Sequence, residues 1–214
     1  MTYPLPHGLP GLFIALEGGD GAGKSTQASL LCRALEEDGR TVVRTREPGG
    51  TPIGEKLRAL VLEHGHGDID ARTEALLFAA SRAAHVHQVI VPALTRGDVV
   101  VCDRYIDSSV AYQGAGRNLG AQAVLDVNRW ATDGLRPDLT VLLDVDPAEG
   151  RSRRSGRLAE DRLEAEPDAF HTSIRSAFLD LARQDPARYL VLSAAGSPDA
   201  IHEAILEQLP RIPA

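Results

Sequence analysis

The stretch Gly18-Gly19-Asp20-Gly21-Ala22-Gly23-Lys24-Ser25 matches the pattern G-x-x-x-x-G-K-[ST] at every fixed position. The apolar run Leu12–Glu17 before it predicts a buried strand, and the periodic run Ser25–Glu37 after it predicts an amphipathic helix. In such a unit the glycines let successive backbone N–H groups point into one concavity, to which the helix adds its positive end. Lys24 would reach the β- and γ-phosphates of a nucleotide, and the Ser25 hydroxyl would hold Mg²⁺. The segment therefore predicts a phosphate-binding loop.

Apolar, β-branched runs alternate with helical patterns along the chain, which is typical of a parallel sheet covered by helices on both faces. The strands are predicted at Leu12–Glu17, Thr41–Arg46, Val99–Asp103, Leu139–Asp144 and Tyr189–Ser193. The helices are predicted at Ser25–Asp38, Ile53–Glu63, Thr73–Leu94, Ala121–Thr132, Pro147–Arg154, Asp168–Gln184 and Pro198–Leu209. We therefore expect a three-layer α/β fold of the P-loop NTPase type with five parallel strands. It would form one domain over 11–214, preceded by an extension over 1–10.

The composition narrows the class of protein. The chain has 23 Lys and Arg against 30 Asp and Glu, and its net charge of −7 argues against broad binding to nucleic acid or to an anionic membrane surface. No run approaches the ~18 apolar residues of a membrane span, and the N-terminal residues lack the pattern of a signal peptide. Cys32 and Cys102 form no C-x-x-C pair, so we expect buried thiols in a reducing compartment. The protein is predicted to be cytoplasmic.

Charged residues follow the predicted strands, and in such sheets ligands bind beyond the carboxyl ends of the strands. Asp103 is placed to act on a metal at the phosphate loop or on its waters, although it could instead cap a helix or pair with Arg104. Arg104 carries a planar guanidinium group, which suits a phosphate. Asp20 would repel a nucleotide unless a metal or an arginine intervenes, although it could equally be a turn residue. The three side chains are candidates for the surroundings of a reacting phosphate.

Two groups at helical spacing could recognise a base. Phe78 and Arg82 lie at i and i+4, so the ring could stack on a base while the guanidinium bonds its edge. From spacing alone, a core position for the phenylalanine is the more ordinary reading. Hydroxyl and amide groups share a second helical face at i, i+3 and i+4, in Ser109, Tyr112 and Gln113. Two glycines, at 114 and 116, are predicted to end that helix.

The segment 151–166 mixes arginines with acidic residues in nearly equal number. It predicts a mobile lid that swings arginines onto transferring phosphates and excludes water, with a solvated helix hairpin as the alternative. Histidines give no metal site, because His85 and His87 point apart on a helix. His64 and His66 lack a clear third ligand.

These motifs together resemble the bacterial thymidylate kinase family, whose members phosphorylate dTMP to dTDP. The resemblance runs from Phe13 to about Leu209. Its matching segments are Glu17–Thr26, Thr45–Thr51, Phe78–Arg82, Asp103–Ser109, Ala111–Gly114 and Asp161–Glu164. In one branch of that family an arginine occupies the loop position of Gly21. This chain resembles the other branch, whose catalytic arginines come from the lid.

The resemblance implies a role for each matched residue around dTMP. Phe78 would stack on thymine, while Arg82 and Gln113 would bond its polar edge with Ser109 nearby. Tyr112 would pack against the deoxyribose and disfavour a 2′-hydroxyl. Two arginines would hold the dTMP phosphate, and two carboxylates would lie near the acceptor and its water or metal network. The two arginines are Arg58 and Arg104, and the two carboxylates are Asp20 and Glu47.

The resemblance also implies ATP as the phosphoryl donor, Mg²⁺ as the metal and a homodimer as the assembly. The expected ATP contacts are Gly18, Gly19, Asp20, Gly21, Ala22, Gly23, Lys24, Ser25 and Thr26. The expected catalytic side chains are Lys24, Asp20, Arg104 and the lid arginines Arg157 and Arg162. The expected metal contacts are Ser25, Asp103 and Glu164.

Two other classes of P-loop protein remain as alternatives. A GTPase switch reads guanine with the motif Asn-Lys-x-Asp, but the only other lysine, Lys56, lies in Glu55-Lys56-Leu57. A kinase acting on another nucleoside monophosphate or on a deoxynucleoside is the closer alternative. No nucleic-acid partner or membrane is expected.

Overall fold

Five parallel strands form the centre of the protein in a computed structural model that describes residues 7–154 and 160–209. The strands are β1 (Leu12–Glu17), β2 (Val42–Arg46), β3 (Val99–Asp103), β4 (Leu139–Asp144) and β5 (Tyr189–Ser193). Their order across the sheet is β2-β3-β1-β4-β5, and every neighbouring pair is parallel. The predicted α/β fold with five parallel strands is confirmed, and β2 alone begins one residue later than expected.

Helices connect the strands. They are α1 (Lys24–Glu37), α2 (Pro52–Leu62), α3 (Ala71–His85), α4 (Val91–Thr95), α5 (Ile106–Ser109), α6 (Ala121–Ala131), α7 (Pro147–Arg154), α8 (Asp168–Gln184) and α9 (Pro198–Glu207). Over the described parts of the chain, no helix has the length and apolar character needed to cross a membrane.

Two π-helical segments modify the predicted helices. Val86–Ile90 joins α3 to α4, so the single helix predicted from 73 to 94 exists as one continuous helical stretch with a wider turn inside it. Val110–Gly116 continues α5 in the same way. The prediction that Gly114 breaks this helix was therefore wrong, because the segment ends only at Gly116. The wider turn keeps both glycines within the helical path.

The sheet is buried on both faces, which gives the three layers. All six residues of β1 are fully buried. Its residues Leu12, Ile14 and Leu16 pack with α1 and α9, whereas Phe13 and Ala15 pack on the opposite face against the helical stretch that includes α4. Parallel strands covered by helices on both sides require such continuous apolar runs.

The segment before β1 is tied to the domain. His7 Nε2 lies 2.9 Å from Asp138 Oδ2, and the same oxygen accepts the backbone N–H of Phe13 at 2.8 Å. The last residues of the predicted extension thus contact the loop before β4. Residues 1–6 of that extension, and residues 155–159 of the predicted lid, lie outside the described residues.

Candidate active site

β1, β2 and β3 end at one edge of the sheet, where Leu16 and Arg46 are both in register with Asp103. A cavity of about 380 Å³ lies beyond this edge. Most of the predicted site residues line it, namely Asp20, Gly21, Gly23, Lys24, Ser25, Thr26, Glu47, Arg58, Phe78, Arg82, Asp103, Arg104, Ser109, Tyr112, Gln113 and Glu164. The predicted residues that do not line it are Gly18, Gly19, Ala22 and Arg162. Arg157 lies outside the described residues.

The phosphate-binding loop connects β1 to α1 as the sequence predicts. Gly23 precedes α1 with a φ of 91°, a left-handed conformation that glycine adopts without steric cost. Lys24 is buried, and its Nζ donates to the carbonyl oxygens of Gly18 at 3.0 Å and Gly19 at 2.8 Å. Burial and the nearby charge of Arg104 lower the pKa of Lys24 to about 8. The ammonium group is therefore held in the loop, within reach of anions in the cavity.

The loop also packs closely against α7. A Cβ added to Gly21 would lie 2.2 Å from the carbonyl oxygen of Gly150, and Gly21 has a φ of +81°. A Cβ added to Gly150 would lie 2.3 Å from the carbonyl oxygen of Asp20. The two backbones therefore leave no room for a side chain between them, and α7 is positioned directly by the loop.

Ser25 and Asp103 form the oxygen pair expected of a metal site. The Ser25 hydroxyl donates to Asp103 Oδ2 at 2.7 Å, although the two residues are 78 positions apart in the chain. Ser25 lies in the first turn of α1, and Asp103 is the last residue of β3. Both line the cavity beside Lys24. Against the effect of burial, the charge of Asp103 also acts to raise the pKa of Arg104, and the part of Asp103 in a metal site stays a prediction.

Asp20 is paired with cationic and hydroxyl groups inside the cavity. Its carboxylate accepts from Arg104 Nη2 and, at 2.8 Å, from the Tyr112 hydroxyl, and Arg154 Nη1 lies 3.7 Å away. Burial acts to raise the pKa of Asp20, but the charges of Arg104 and Lys24 overcome it and hold the pKa below its ordinary value. Burial raises the pKa of Tyr112, so its hydroxyl stays protonated and can donate. Asp20 is thus an ionised anchor for Arg104.

Arg104 is held from several directions. It adopts a φ of 71°, an uncommon conformation for a residue with a side chain, immediately after β3. Its Nη1 donates to the carbonyl of Gly18 and to Ser108 Oγ, each at 3.1 Å. Glu17 fixes the next turn, because its carboxyl group accepts from the Tyr105 N–H at 2.7 Å and from Ser108 Oγ at 2.6 Å. Burial, followed by the charge of Asp107, raises the pKa of Glu17 to about 8.

Arg82 is a buried side chain with most of its donors occupied. Its Nε donates to Glu47 Oε2 at 2.6 Å, and its Nη1 donates to Ser109 Oγ at 3.0 Å and to Asn128 Oδ1. Its Nη2 donates to the carbonyl of Tyr105 at 3.1 Å. A guanidinium group has five N–H bonds, so one N–H of Nη2 has no partner among the residues that the structure describes.

Phe78 lies one turn before Arg82 on α3 and also lines the cavity. It is 8% exposed and belongs to a core cluster with Tyr112 and Phe170. Its core role and its place on the cavity are therefore compatible. The predicted shared face of Phe78 and Arg82 is confirmed.

Gln113, which was predicted to contact the base, forms a hydrogen bond with a residue that the sequence analysis did not single out. Its Nε2 donates to Glu74 Oε1 at 2.9 Å, and Glu74 is fully buried at the start of α3. Glu74 also accepts from Arg117, at 3.2 Å to Nη2, and from Arg162 Nη2. Arg162 further donates through Nε to the carbonyl of Val61 at 2.9 Å. The guanidinium group of Arg162 is thus occupied by α2 and α3 instead of by the cavity.

Other arginines of the lid segment face the cavity. Arg153 and Arg154, at the end of α7, both line it. Besides Asp20, Arg154 Nη1 lies 3.8 Å from Glu164, and its Nη2 lies 3.8 Å from Glu160. Its Nε is buried with no hydrogen-bond partner among the described residues. Arg154 therefore lines the cavity, whereas Arg162 does not.

Arg58 and Glu47 lie on the β2 side of the cavity. Arg58 Nη1 donates to the carbonyl of Pro48 at 2.9 Å, which orients its guanidinium group along the cavity wall. Glu47 Oε1 lies 2.9 Å from His85 Nδ1, and His85 Nε2 lies 2.6 Å from Thr45 Oγ1. Both oxygens of Glu47 therefore have partners in the protein. Its expected part in a water or metal network stays a prediction.

The residues missed by sequence reasoning share one property. Glu74, Asn128 and Arg154 each act on a predicted site residue over a long separation, up to 134 positions for Asp20 and Arg154. The i, i+4 spacing of Glu74 and Phe78 was the one available signal, since it continues the row that includes Arg82.

Comparison with known proteins assigns the family. A family model described as thymidylate kinase matches residues 16–205. A thymidylate kinase of Leifsonia xyli subsp. xyli is 58% identical over 192 residues, which cover 89% of this chain and 90% of that protein. A thymidylate kinase of Cutibacterium acnes is 53% identical over 201 residues, covering 94% and 97% of the two chains. With its phosphate-binding loop and these matches over most of its length, the chain belongs to the thymidylate kinase family.

Proposed function

We propose that the protein transfers the γ-phosphate of ATP to dTMP, giving dTDP and ADP, as a step in the synthesis of dTTP. The observation that carries this proposal is that two chemically distinct sets of residues line one cavity. Lys24 and the phosphate-binding loop form one set, and Phe78, Arg82 and Gln113 form the other. A nucleotide donor and a nucleoside monophosphate acceptor would meet between them.

The acceptor needs no strong general base. A phosphate monoester is largely dianionic at neutral pH because its second pKa is about 6. The obstacle is the repulsion between two polyanions, and fixed positive charge in a water-poor site offsets it by several kcal/mol. Arg58 and Arg104 would hold the dTMP phosphate, and Lys24 would neutralise the β- and γ-phosphates of ATP.

Mg²⁺ fits the oxygen donors beside the loop. The Ser25 hydroxyl and the Asp103 carboxylate are hard ligands that already lie within hydrogen-bonding distance of each other. Glu164, across the cavity on the lid, is the further metal contact in this proposal. The ion would supply charge neutralisation and would align the donor phosphates. Asp20 would serve as the anchor that keeps Arg104 oriented toward the acceptor.

Arg154 is the described lid arginine best placed to contact the transferring phosphate. It lines the cavity, and its buried Nε has no hydrogen-bond partner within residues 7–154 and 160–209. Arg157 remains a second candidate by the family resemblance. Arg162 would act indirectly unless it leaves Glu74 during the cycle.

The acceptor end suits a deoxyribonucleotide with a pyrimidine base. Phe78 would stack on thymine, and the free N–H of Arg82 would bond a base oxygen, with Ser109 beside it. Tyr112, fixed by its hydrogen bond to Asp20, would pack against the sugar and disfavour a 2′-hydroxyl. The protein would work in the cytoplasm, in keeping with its two free buried cysteines.

A coupled assay of ADP formation with dTMP, dUMP, dCMP and thymidine as acceptors tests the proposal. We expect dTMP to give the highest kcat/KM, since thymidine lacks the phosphate and dCMP presents the wrong base edge. Equal or faster turnover with dCMP or thymidine would instead favour the alternative kinase class.

Arg104→Ala tests the assignment of the acceptor phosphate. We expect the affinity for dTMP to fall at least about tenfold, as for loss of a charged hydrogen bond, while the affinity for ATP changes much less. Titration calorimetry of both ligands measures this, with Arg96→Ala as the control, at an exposed arginine that pairs with Asp98. Equal loss for both nucleotides would contradict the assignment.

A further inference from the structure

Glu74 is a fully buried carboxylate with no role in the proposed chemistry. It lies in the first turn of α3. Along this helix Glu74, Phe78 and Arg82 are spaced at i, i+4 and i+8. Side chains at this spacing lie along one face of a helix. Glu74 therefore extends the row of Phe78 and Arg82 by one turn, although it does not itself line the cavity.

The contacts of Glu74 explain how its charge is tolerated. Two guanidinium groups donate to it, one from Arg117 after the π-helical segment and one from Arg162 in the lid segment. A buried carboxylate requires such pairing, because desolvation of an unpaired charge costs several kcal/mol. The third donor, Gln113, is neutral and is not needed for this balance.

The hydrogen bond to Gln113 has a definite polarity. An ionised carboxylate can only accept hydrogen bonds, so the atom that faces it must be the amide nitrogen. The amide oxygen of Gln113 is then directed away from Glu74. Gln113 lines the cavity, and within residues 7–154 and 160–209 no donor is bonded to this side-chain oxygen. Gln113 would thus present a hydrogen-bond acceptor to the cavity, because Glu74 prevents the amide from turning its nitrogen toward the cavity.

We propose that Glu74 is a positioning residue for recognition of the acceptor base. By holding the Gln113 amide nitrogen, Glu74 would turn the Gln113 amide oxygen toward the ligand. This inference rests on the proposed function and names the residue that would orient Gln113 toward the ring N–H of the base. Thymine offers the N3–H donor beside the O4 acceptor. The Gln113 oxygen and the remaining Arg82 N–H form the complementary pair. Cytosine offers an acceptor at N3 and a donor at N4, which reverses the pattern.

The experiment uses dTMP and N3-methyl-dTMP, which lacks the ring N–H, with titration calorimetry on the full chain. In the wild type we expect dTMP to bind more tightly than its methylated analogue. Glu74→Gln permits either amide orientation, so we expect the Kd for dTMP to rise about tenfold, as for a misdirected hydrogen bond. The Kd for N3-methyl-dTMP should stay within about twofold, because that ligand never used the contact.

Two further variants separate positioning from a merely structural role. Arg117→Gln removes one partner of Glu74 but keeps the carboxylate, so the ratio of the two Kd values should remain that of the wild type. The exchange E74Q/Q113E places two acceptor oxygens at position 113 and an amide at position 74. This double variant should restore the preference for dTMP, and it tests the proposal even if Glu74→Gln alone does not fold.

Three results would overturn the inference. These are an equal rise of both Kd values in folded Glu74→Gln, no change in either, or no restored preference in the exchange variant. Failure of the proposed function looks different, because the wild type itself would then not turn over dTMP.

Discussion

Lys24 carries the charge of the phosphate loop, and its surroundings make that charge sensitive to pH. Burial and Arg104 lower the pKa of Lys24 to about 8 from an ordinary value of 10.5. Below the lowered pKa the side chain is an ammonium ion ready for phosphate. Above it the free protein is mostly neutral at this position, and nucleotide binding must take up a proton.

ATP binding should therefore weaken at alkaline pH. We expect a nearly constant Kd between about pH 7 and pH 7.5, then a rise approaching about tenfold per pH unit well above pH 8. Calorimetry in buffers of different ionisation enthalpy measures both the Kd and the proton uptake. Lys24→Arg keeps its charge throughout and should remove the pH dependence, whatever its affinity. A wild-type Kd that is flat to about pH 9.5 would contradict this mechanism.

At the scale of single residues, the sequence predicted which residues lie at the site better than it predicted which residues they bond to. The Ser25–Asp103 pair followed from the motif and from the end of a strand, because both positions are set by local structure. Arg162 was expected at the phosphates, yet it bonds Glu74, 88 positions earlier in the chain. Which of several lid arginines faces the cavity depends on how the segment packs, and no local pattern encodes that packing.

Among the elements, α7 and the phosphate loop behave as one unit. The carbonyl of Asp20 faces Gly150 so closely that only a glycine fits. The same helix carries Arg154, whose position beside Asp20 therefore depends on this contact. Direct backbone contact between the loop and α7 therefore sets the distance between the lid and the cavity.

Gly150→Ala should push α7 away from the loop. We expect a loss of about 1–3 kcal/mol in the free energy of unfolding, as for an overpacked buried site. We also expect kcat to fall more than ATP affinity does, because Arg154 moves while Lys24 stays. Denaturant unfolding and steady-state kinetics measure the two effects. Ala148→Ser, at an exposed position of the same helix, is the matched control. If the two variants behaved equally, the contact between the loop and α7 would not position Arg154.

At the element level, periodicity and strand composition predicted the strand ends to within one residue and the ends of the seven predicted helices to within two residues. Strands β1, β3, β4 and β5 have the predicted bounds because each is a short apolar run ended by a charge or a turn. The π-helical segments were not foreseen. A π turn differs from an α turn only in which carbonyl each N–H reaches, and the side-chain pattern changes little over so few residues.

Across the whole molecule, exposed apolar side chains concentrate on three neighbouring helices. Trp130 is 84% exposed on α6, Leu76 is 59% exposed on α3, and Ile53 and Leu60 are 46% and 39% exposed on α2. α3 packs against both α2 and α6. Exposed apolar side chains on neighbouring helices are candidates for an association surface. We propose that this face forms the homodimer implied by the family resemblance, which no sequence periodicity indicates.

Leu76→Glu combined with Trp130→Glu should convert a dimer into a monomer. Charges buried at the centre of an interface without partners oppose association strongly. Sedimentation velocity would follow the change in mass. Leu206→Glu, on the exposed face of α9, gives the comparison because its side chain is 37% exposed on a different surface. A monomeric wild type, or a dimeric double variant, would rule out this face.

The contact between Gly21 and Gly150 also restricts how such sequences can diverge. An arginine at position 21, as in the other branch of the family, would place its Cβ 2.2 Å from the carbonyl of Gly150. That substitution should be harmful while α7 keeps its place, and moving α7 first would displace Arg154. Each single step is therefore expected to be unfavourable by itself. The two branches would be separated by sign epistasis, and a passage between them requires changes in the loop and the lid together.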